Sequence, residues 1–262
     1  MTTPLALVTG ATGGIGSAIT QHLVLAGYHV IAVAQNEERL QILREADPRH
    51  VFPLVLSVVA SQSTWLSMLM TVFEYYDLEP HIDVLVCAHG YPPIITPSIS
   101  LSLPNEFCPV LLTDVGGAFM AAQATAPYMI RQGHGSIVFI SSLHAHQTYP
   151  SRPAYAAAKA GICGMARSLA LEWGVHGVTV NTVLPWQVAG ARSERLMHEH
   201  EQATGEDLLS QYQARSPQRR LVTEDEVADA VLFLIRNRSC NGMELVLDGG
   251  VSASMWYKPF TQ

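Results

Sequence analysis

The sequence predicts an α/β protein built on one doubly wound parallel sheet with helices on both faces. Short, almost wholly apolar runs such as residues 5–8 recur along the chain, as expected for buried parallel strands. Segments with helical periodicity alternate with these runs, which is the pattern of repeated βα units. No long Pro/Ser-rich linker or low-complexity block divides the 262 residues, so we expect a single domain over 1–262.

Each further element follows from its local pattern. Apolar runs predict strands at 28–34, 51–56, 83–87, 136–141, 178–184 and 243–247. Helical periodicity predicts helices at 37–45, 62–76, 105–132, 153–173 and 224–236, besides one that carries Ile19 and Leu23. The Pro- and Ser-rich residues 91–104 predict a loop at the strand ends. Residues 190–216 are polar and helix-prone, so we expect a flap over a pocket there.

Composition bears on partners and compartment. The formal net charge is −7 and no Lys/Arg cluster accompanies stacking aromatics, so we expect no nucleic-acid partner. The N-terminus lacks a basic region and no run of eighteen apolar residues occurs, so we expect neither secretion nor a membrane partner. The four cysteines form no CxxC pair and no HExxH-type spacing occurs, which indicates reduced thiols in a cytoplasmic protein and no metal site.

A glycine-rich turn follows the first strand. Residues 9–16 read TGATGGIG and lead directly into a helical pattern. Glycines let the backbone approach a pyrophosphate, and the free N–H groups at a helix start favour its charge. The turn is therefore either a site for a dinucleotide pyrophosphate or merely a tight β–α connection.

The second feature is the segment 142–159, which reads SLHAHQTYPSRPAYAAAK after an apolar strand pattern. Tyr155 and Lys159 are four residues apart in an Ala-rich helical run, so both side chains lie on one face of the helix. An ammonium beside a phenol favours the phenolate, and Ser142 lies at a strand end where ligands bind in open sheets. The segment is a candidate acid/base site.

Taken together, these motifs resemble the short-chain dehydrogenase/reductase family. The family pattern TGxxxGxG matches Thr9, Gly10, Gly14 and Gly16, and Ser142 precedes the tyrosine of the YxxxK motif by thirteen residues. NxxxP at Asn181 and Pro185, and the closing residues 248–250, extend the resemblance over about residues 5–250.

The resemblance implies a Rossmann-type domain that transfers a hydride between NAD(P) and an alcohol or carbonyl carbon of a small molecule. Tyr155 would exchange the proton of the substrate oxygen, Ser142 would hydrogen-bond that oxygen, and Lys159 would lower the pKa of Tyr155. Asp114 stands where the family has an asparagine that helps a relay water, and it could still hold one. The family also implies a homo-oligomer, a tetramer or dimer, formed through the helices at 105–132 and 153–173.

The implied cofactor site differs from the family pattern at several positions. The residues carried over to cofactor binding are Gly10, Thr12, Gly14, Ile15, Gly16, Gln35, Ser57, Gly90, Tyr155, Lys159, Pro185 and Val188. Ser57 replaces the usual Asp, and Gly190 replaces a Thr expected near the carboxamide. No Arg or Lys stands at Gly13, Gln35 or Asn36, which favours NAD slightly over NADP, although no acid at Ala34 supports NAD directly.

Substrate selection is expected in the residues between Ser142 and Tyr155. His144 and Arg152 stand at the offsets where 3-hydroxybutyrate dehydrogenases of this family place a His and a Lys that hold the substrate carboxylate. Arg is a good bidentate carboxylate partner, so an acidic substrate is one hypothesis. The match is partial, because Ile94 replaces an expected Gln, and both side chains could instead be ordinary loop residues.

Two further regions remain open between a binding and a packing role. Trp186 and Gln187 follow a strand end, so they either wall the substrate pocket or pack under the flap. The tail 251–262 carries Met255, Trp256 and Tyr257, which would dock on this chain or on a neighbouring subunit.

The altered cofactor positions also leave a second function open: a nucleotide-binding sensor or scaffold with little turnover.

Overall fold

The computed structural model describes residues 3–92 and 95–253, and its centre is a seven-stranded sheet. The strands are β1 Leu5–Thr9, β2 His29–Ala34, β3 Val51–Val55, β4 Val84–Cys87, β5 Gly135–Ile140, β6 Val178–Pro185 and β7 Glu244–Leu247. All neighbouring strands are parallel, in the order β3-β2-β1-β4-β5-β6-β7. The predicted doubly wound α/β fold is confirmed.

Helices connect the strands. They are α1 Gly14–Leu25, α2 Glu37–Ala46, α3 Gln62–Tyr75, α4 Leu103–Gln132, α5 Pro153–Gly174, α6 Ala191–Thr204, α7 Leu208–Arg215 and α8 Glu224–Arg236. The predicted elements therefore occur in the predicted order, with ends that shift by one or two residues. The predicted flap at 190–216 consists of α6 and α7.

The two faces of the sheet are covered by separate hydrophobic layers. Leu5 and Leu7 of β1 point into one layer, with α3, α4 and α5, whereas Ala6 and Val8 point into the other, with α1, α2 and α8. Successive side chains of a strand alternate between faces, so a strand covered on both sides must be apolar throughout. This explains why β1 reads as an unbroken apolar run.

The helix α4 combines α-helical and π-helical turns. The turns Leu103–Phe107 and Leu112–Gly116 are π-helical, and Gly117–Gln132 is a regular α-helix. Among the described residues, Leu103–Gln132 is the one helix long and apolar enough to cross a membrane by length and composition. Its alanines, however, pack against the sheet, as in the core helix of a globular domain.

The strand order reverses between β1 and β4. From β1 the chain runs to β2 and β3 on one side, and from β4 it runs to β5, β6 and β7 on the other. Ligands of open parallel sheets bind outside the carboxyl ends of the strands at such a switch point. The residues that follow β1 and β4 therefore define where a site is expected. Ile94 and the tail residues Met255, Trp256 and Tyr257 lie outside the described residues.

Candidate active site

The glycine turn after β1 is held so tightly that two of its glycines cannot be replaced without movement. Gly10 has a φ of +68°, and a Cβ there would lie 2.6 Å from the backbone N of His89. A Cβ on Gly16 would lie 2.1 Å from the carbonyl oxygen of Gly10. The turn thus brings the first residues of α1 against the ends of β1 and β4, at the switch point of the sheet.

Tyr155 and Lys159 lie on one face of α5, as their spacing predicts. The Lys159 Nζ is 5.4 Å from the centroid of the Tyr155 ring, and the lysine is almost fully buried. Burial opposes the charge on Lys159, but the neighbouring Tyr155 oxygen and the Asp114 carboxylate outweigh it and raise the pKa of the lysine. Lys159 is therefore a permanent cation beside the phenol at physiological pH.

Asp114 contacts that cation directly. Its Oδ2 lies 3.0 Å from Lys159 Nζ, and its Oδ1 accepts a 2.6 Å hydrogen bond from the backbone N–H of Tyr91. Both charged side chains are buried, at 0% and 5% exposure. Asp114 thus forms a buried ion pair with Lys159, and its expected water-holding role stays a prediction.

His89 ties the floor of the site together. Its Nε2 lies 3.1 Å from the carbonyl oxygen of Thr113, and its Nδ1 lies 2.6 Å from the Thr9 hydroxyl. A carbonyl can only accept, so Nε2 carries the proton and Nδ1 accepts from Thr9. Burial and the Lys159 charge lower the pKa of His89 to about 4, so the ring is neutral. His89 therefore fixes the π-helical turn that carries Asp114 to the end of β1.

Ser142 is buried at the end of β5. Its hydroxyl is 3.5 Å from the carbonyl oxygen of Pro185, at the limit of a hydrogen bond, and it accepts from the backbone N–H of His144 at 3.2 Å. The next residue inward, Ser141, donates to the Lys159 carbonyl at 2.8 Å and anchors β5 to α5. The weak Pro185 contact leaves Ser142 able to exchange it for another acceptor.

A cavity of about 310 Å³ joins the glycine turn to the Tyr155–Lys159 pair. Of the predicted residues, those that line it are Gly14, Ile15, Gly16, Gly90, Tyr155, Lys159 and Val188. Gly10, Thr12 and Pro185 lie outside the lining, as do Ser142 and Asp114. Gln35 and Ser57 meet at the ends of β2 and β3, where Gln35 Nε2 lies 3.3 Å from Ser57 Oγ.

The predicted substrate residues form a cluster beside this cavity rather than in its lining. The His144 ring packs edge-on against Tyr155 and Tyr149, with centroid distances of 5.3 Å in both cases. Arg152 lies over the Tyr149 ring at 5.9 Å. Burial, and secondarily the Arg152 charge, lowers the pKa of His144 to about 4, so this imidazole is neutral. His144 and Arg152 are thus brought together at the Tyr155 end of the site.

The flap closes over this cluster. Trp186 packs edge-on against Tyr212 of α7 at 5.9 Å, and its role as a wall of the substrate pocket stays a prediction. Gln187 is half-buried, and its carbonyl accepts from the Val222 N–H at 3.0 Å. Arg215, also on α7, lies 5.1 Å from the Tyr149 centroid, on the same ring as Arg152. The cluster therefore holds two guanidinium groups and several aromatic rings.

Three residues of the site were not found from the sequence. Tyr212 and Arg215 lie in a segment whose composition indicates only a flap. Glu224 lines the cavity beside the glycine turn. A run of acids after Thr223 is a normal helix start, so the sequence carries no signal that one of them turns into the pocket.

The backbone of the turn fits a dinucleotide. Glycine at positions 10, 14 and 16, together with the first turn of α1 at the switch point, forms the cradle that a pyrophosphate needs. Lys159 and Tyr155 stand at the other end of the same cavity. The residues present therefore fit a nicotinamide dinucleotide, with Glu224 as a negative charge close to the phosphate cradle.

Comparison with known proteins agrees with this fold. A family model described as enoyl-(acyl carrier protein) reductase matches residues 10–252. The 3-oxoacyl-acyl-carrier-protein reductase of Thermotoga maritima is 33% identical over 251 residues, which cover 94% of this chain and 96% of the relative. The 2-(R)-hydroxypropyl-CoM dehydrogenase of Xanthobacter autotrophicus is 30% identical over 255 residues, covering 95% and 98%. The structure of NAD+-bound xylitol dehydrogenase is 25% identical with a TM-score of 0.84, covering 94% and 98%.

The fold and the site define a Rossmann-type oxidoreductase that acts on CH–OH or C=O groups. More narrowly, the chain belongs to the short-chain dehydrogenase/reductase family.

Proposed function

We propose that this protein interconverts a secondary alcohol and a ketone with a nicotinamide dinucleotide, and that Tyr155 is its general acid/base. The observation that carries the proposal is the placement of Tyr155 and Lys159 in the same cavity as the glycine turn. When bound, the nicotinamide supplies or accepts the hydride. The protein positions the substrate and moves the proton.

Each polar residue has a distinct part in that proton transfer. In the direction of reduction, the Tyr155 hydroxyl donates its proton to the substrate oxygen as negative charge develops there. Lys159, held as a cation by Asp114, stabilises the phenolate that remains. Ser142 exchanges its long contact to the Pro185 carbonyl for a hydrogen bond to the substrate oxygen. In oxidation the same steps run in reverse.

We favour NAD over NADP as the cofactor. The ends of β2 and β3 carry the neutral pair Gln35 and Ser57, which offers no charge for a 2′-phosphate. The related xylitol dehydrogenase structure is described as NAD+-bound. Fluorescence titration with NADH and NADPH would test this preference, and tighter binding of NADPH would contradict it.

An anionic group on the substrate is the best match for the cluster beside Tyr155. Arg152, the residue before α5, and Arg215 of the flap approach the same Tyr149 ring, and both guanidinium groups carry a charge. A carboxylate between them would be held close to the neutral His144 and to the Tyr155 hydroxyl. Hydroxy and keto acids are therefore the substrate class to test first.

Exposed apolar side chains on α4 and α5 support a homo-oligomer. Leu112 and Phe119 of α4 are 60% and 39% exposed, and Leu171 of α5 is 81% exposed. Contiguous exposed apolar surface commonly marks a protein interface. Light scattering at micromolar concentration should give a multiple of the 28.5 kDa chain mass, and a monomer would contradict the proposal.

A cytoplasmic location remains part of the proposal, on the evidence of the free cysteines.

The reaction is tested with a panel of secondary alcohols, ketones, hydroxy acids and keto acids, assayed with the dinucleotide that binds. Tyr155→Phe should lower kcat by a factor on the order of 10²–10⁴ and leave the dinucleotide Kd within about twofold. Dinucleotide binding without turnover of any compound, unchanged in Tyr155→Phe, would support the sensor function instead.

A further inference from the structure

The Glu224 carboxylate occupies space that a dinucleotide would need. A Cβ built on Gly14 would lie 1.7 Å from Glu224 Oε1, and one built on Gly190 would lie 2.2 Å from the same oxygen. Gly14 is the first residue of α1, where the bare backbone allows a pyrophosphate to approach. The oxygen therefore fills the gap between the glycine turn and the loop that follows β6.

The other acids at the start of α8 already have partners. Glu226 closes the capping box with Thr223 and pairs with Arg220 at 2.6 Å. Asp225 lies 3.1 Å from His22 of α1. Within the described residues Glu224 has no ion-pair partner, so no cation of the protein balances the negative charge of its carboxylate. The helix cap and these ion pairs thus explain the neighbours of Glu224 but not the direction in which the Glu224 side chain points.

We propose that Glu224 is a charge gate on the dinucleotide site: its carboxylate competes with the pyrophosphate for the space beside Gly14 and Gly190. The inference rests on the proposed nicotinamide cofactor. It means that the dinucleotide binds more tightly when this side chain is neutral or withdrawn, because two like charges otherwise share one partly buried pocket.

The groups around Glu224 give the gate its dependence on pH. Burial raises the pKa of Glu224, and the negative charges of Asp225 on the same helix and Glu194 on α6 raise it further. The titratable groups on the remaining walls of the cavity are His89, Tyr91, Tyr155 and Lys159. His89 is neutral, with its pKa lowered to about 4, and Lys159 keeps its charge across the same range. Falling pH should therefore neutralise Glu224 before it changes the other walls.

The test is direct dinucleotide binding by wild type, Glu224→Gln and the control Asp229→Asn. The control removes the same charge farther along α8 from a side chain that is 72% exposed and lies outside the cavity lining. NADH, or NADPH if it binds better, is titrated by fluorescence between pH 5.5 and 8.5. ADP-ribose, which carries the pyrophosphate without the nicotinamide, is titrated by calorimetry.

At pH 8 Glu224→Gln should bind NADH and ADP-ribose about tenfold more tightly than wild type, and Asp229→Asn should stay within about twofold. Wild-type affinity should rise relative to that of Glu224→Gln as the pH falls towards the raised pKa of Glu224, and the affinity of Glu224→Gln itself should change little. The wild-type profile also tests the gate without any substitution.

Equal or weaker binding by Glu224→Gln, or a flat wild-type profile, would overturn the gate while leaving the cofactor in place. Failure of all three proteins to bind NADH, NADPH and ADP-ribose would instead refute the proposed cofactor, and the gate with it.

Discussion

Replacing Asp114 by Asn would leave the Lys159 ammonium buried without its carboxylate. At the observed separation of 3.0 Å, two unit charges attract by about 5.5 kcal/mol at an effective dielectric constant of about 20. Removing one partner of a buried pair costs about 3–5 kcal/mol, because the other charge stays in the interior uncompensated. The Asn oxygen can still accept from the Tyr91 N–H, so the loss should come almost entirely from the ion pair. For a chain of this size such a loss lowers Tm by about 10 °C.

Scanning calorimetry on a double-mutant cycle measures this coupling. Asp114→Asn and Lys159→Met should each lower Tm, and the double variant should recover at least half of the summed loss because no lone charge remains. Additive losses would show that the two side chains do not interact, and would refute the argument. The stabilisation should persist below the ordinary lysine pKa and disappear only as the pH rises through the raised pKa of Lys159.

Three further predictions concern the turn, the floor and the substrate end. Gly16→Ala should cost about 1–3 kcal/mol of stability and weaken dinucleotide binding, because its Cβ would meet the Gly10 backbone at 2.1 Å. Gly13→Ala is the matched control, because the nearest atom to its Cβ lies at 3.4 Å. Equal effects of the two substitutions would contradict the packing argument. His89 is neutral in the folded state, with a pKa of about 4, so its contribution to stability should be complete above about pH 6.5 and be lost as the pH falls towards 4. Plots of Tm against pH for wild type and His89→Gln should therefore differ in slope over this interval. Parallel plots would argue against this contribution. Arg152→Ala and Arg215→Ala should each raise KM for a hydroxy acid by about tenfold and leave KM for a neutral alcohol within about twofold. Equal changes for both substrates would indicate that the two arginines only pack on the Tyr149 ring.

The fold was predictable because its determinants are local in the sequence. A strand buried on both faces must be apolar along its length, and a connecting helix must show a 3.6-residue period, so element order could be derived from short windows. The Tyr155–Lys159 pair was predictable for the same reason, since four residues on a helix fix which face both side chains share. Gly16 likewise marks a backbone contact within one turn, to the carbonyl oxygen of Gly10.

The parts of the site that escaped prediction depend on packing between distant segments. Asp114 and Lys159 are 45 positions apart, and their contact requires a π-helical turn that composition does not reveal. The same holds for Tyr212 against Trp186, because the flap can only be placed once the sheet exists. Glu224 reaches Gly14 because α8 packs against α1, and neither segment alone encodes that approach.

The π-helical turn Leu112–Gly116 makes the helix α4 tolerant of the loss of one residue. A π-helical turn contains one residue more than an α-helix would need, so deleting a residue here would restore a regular helix instead of breaking one. Because the wider turn absorbs the extra residue, the helical segments on either side could keep their packing against the sheet, and only the residues of the turn itself would shift. The Asp114 carboxylate would leave Lys159, and the Thr113 carbonyl would no longer need His89 as its donor. A chain shortened in this way could keep its fold while losing the ion pair. A single deletion would then be one way for a protein with this fold to lose its catalytic activity.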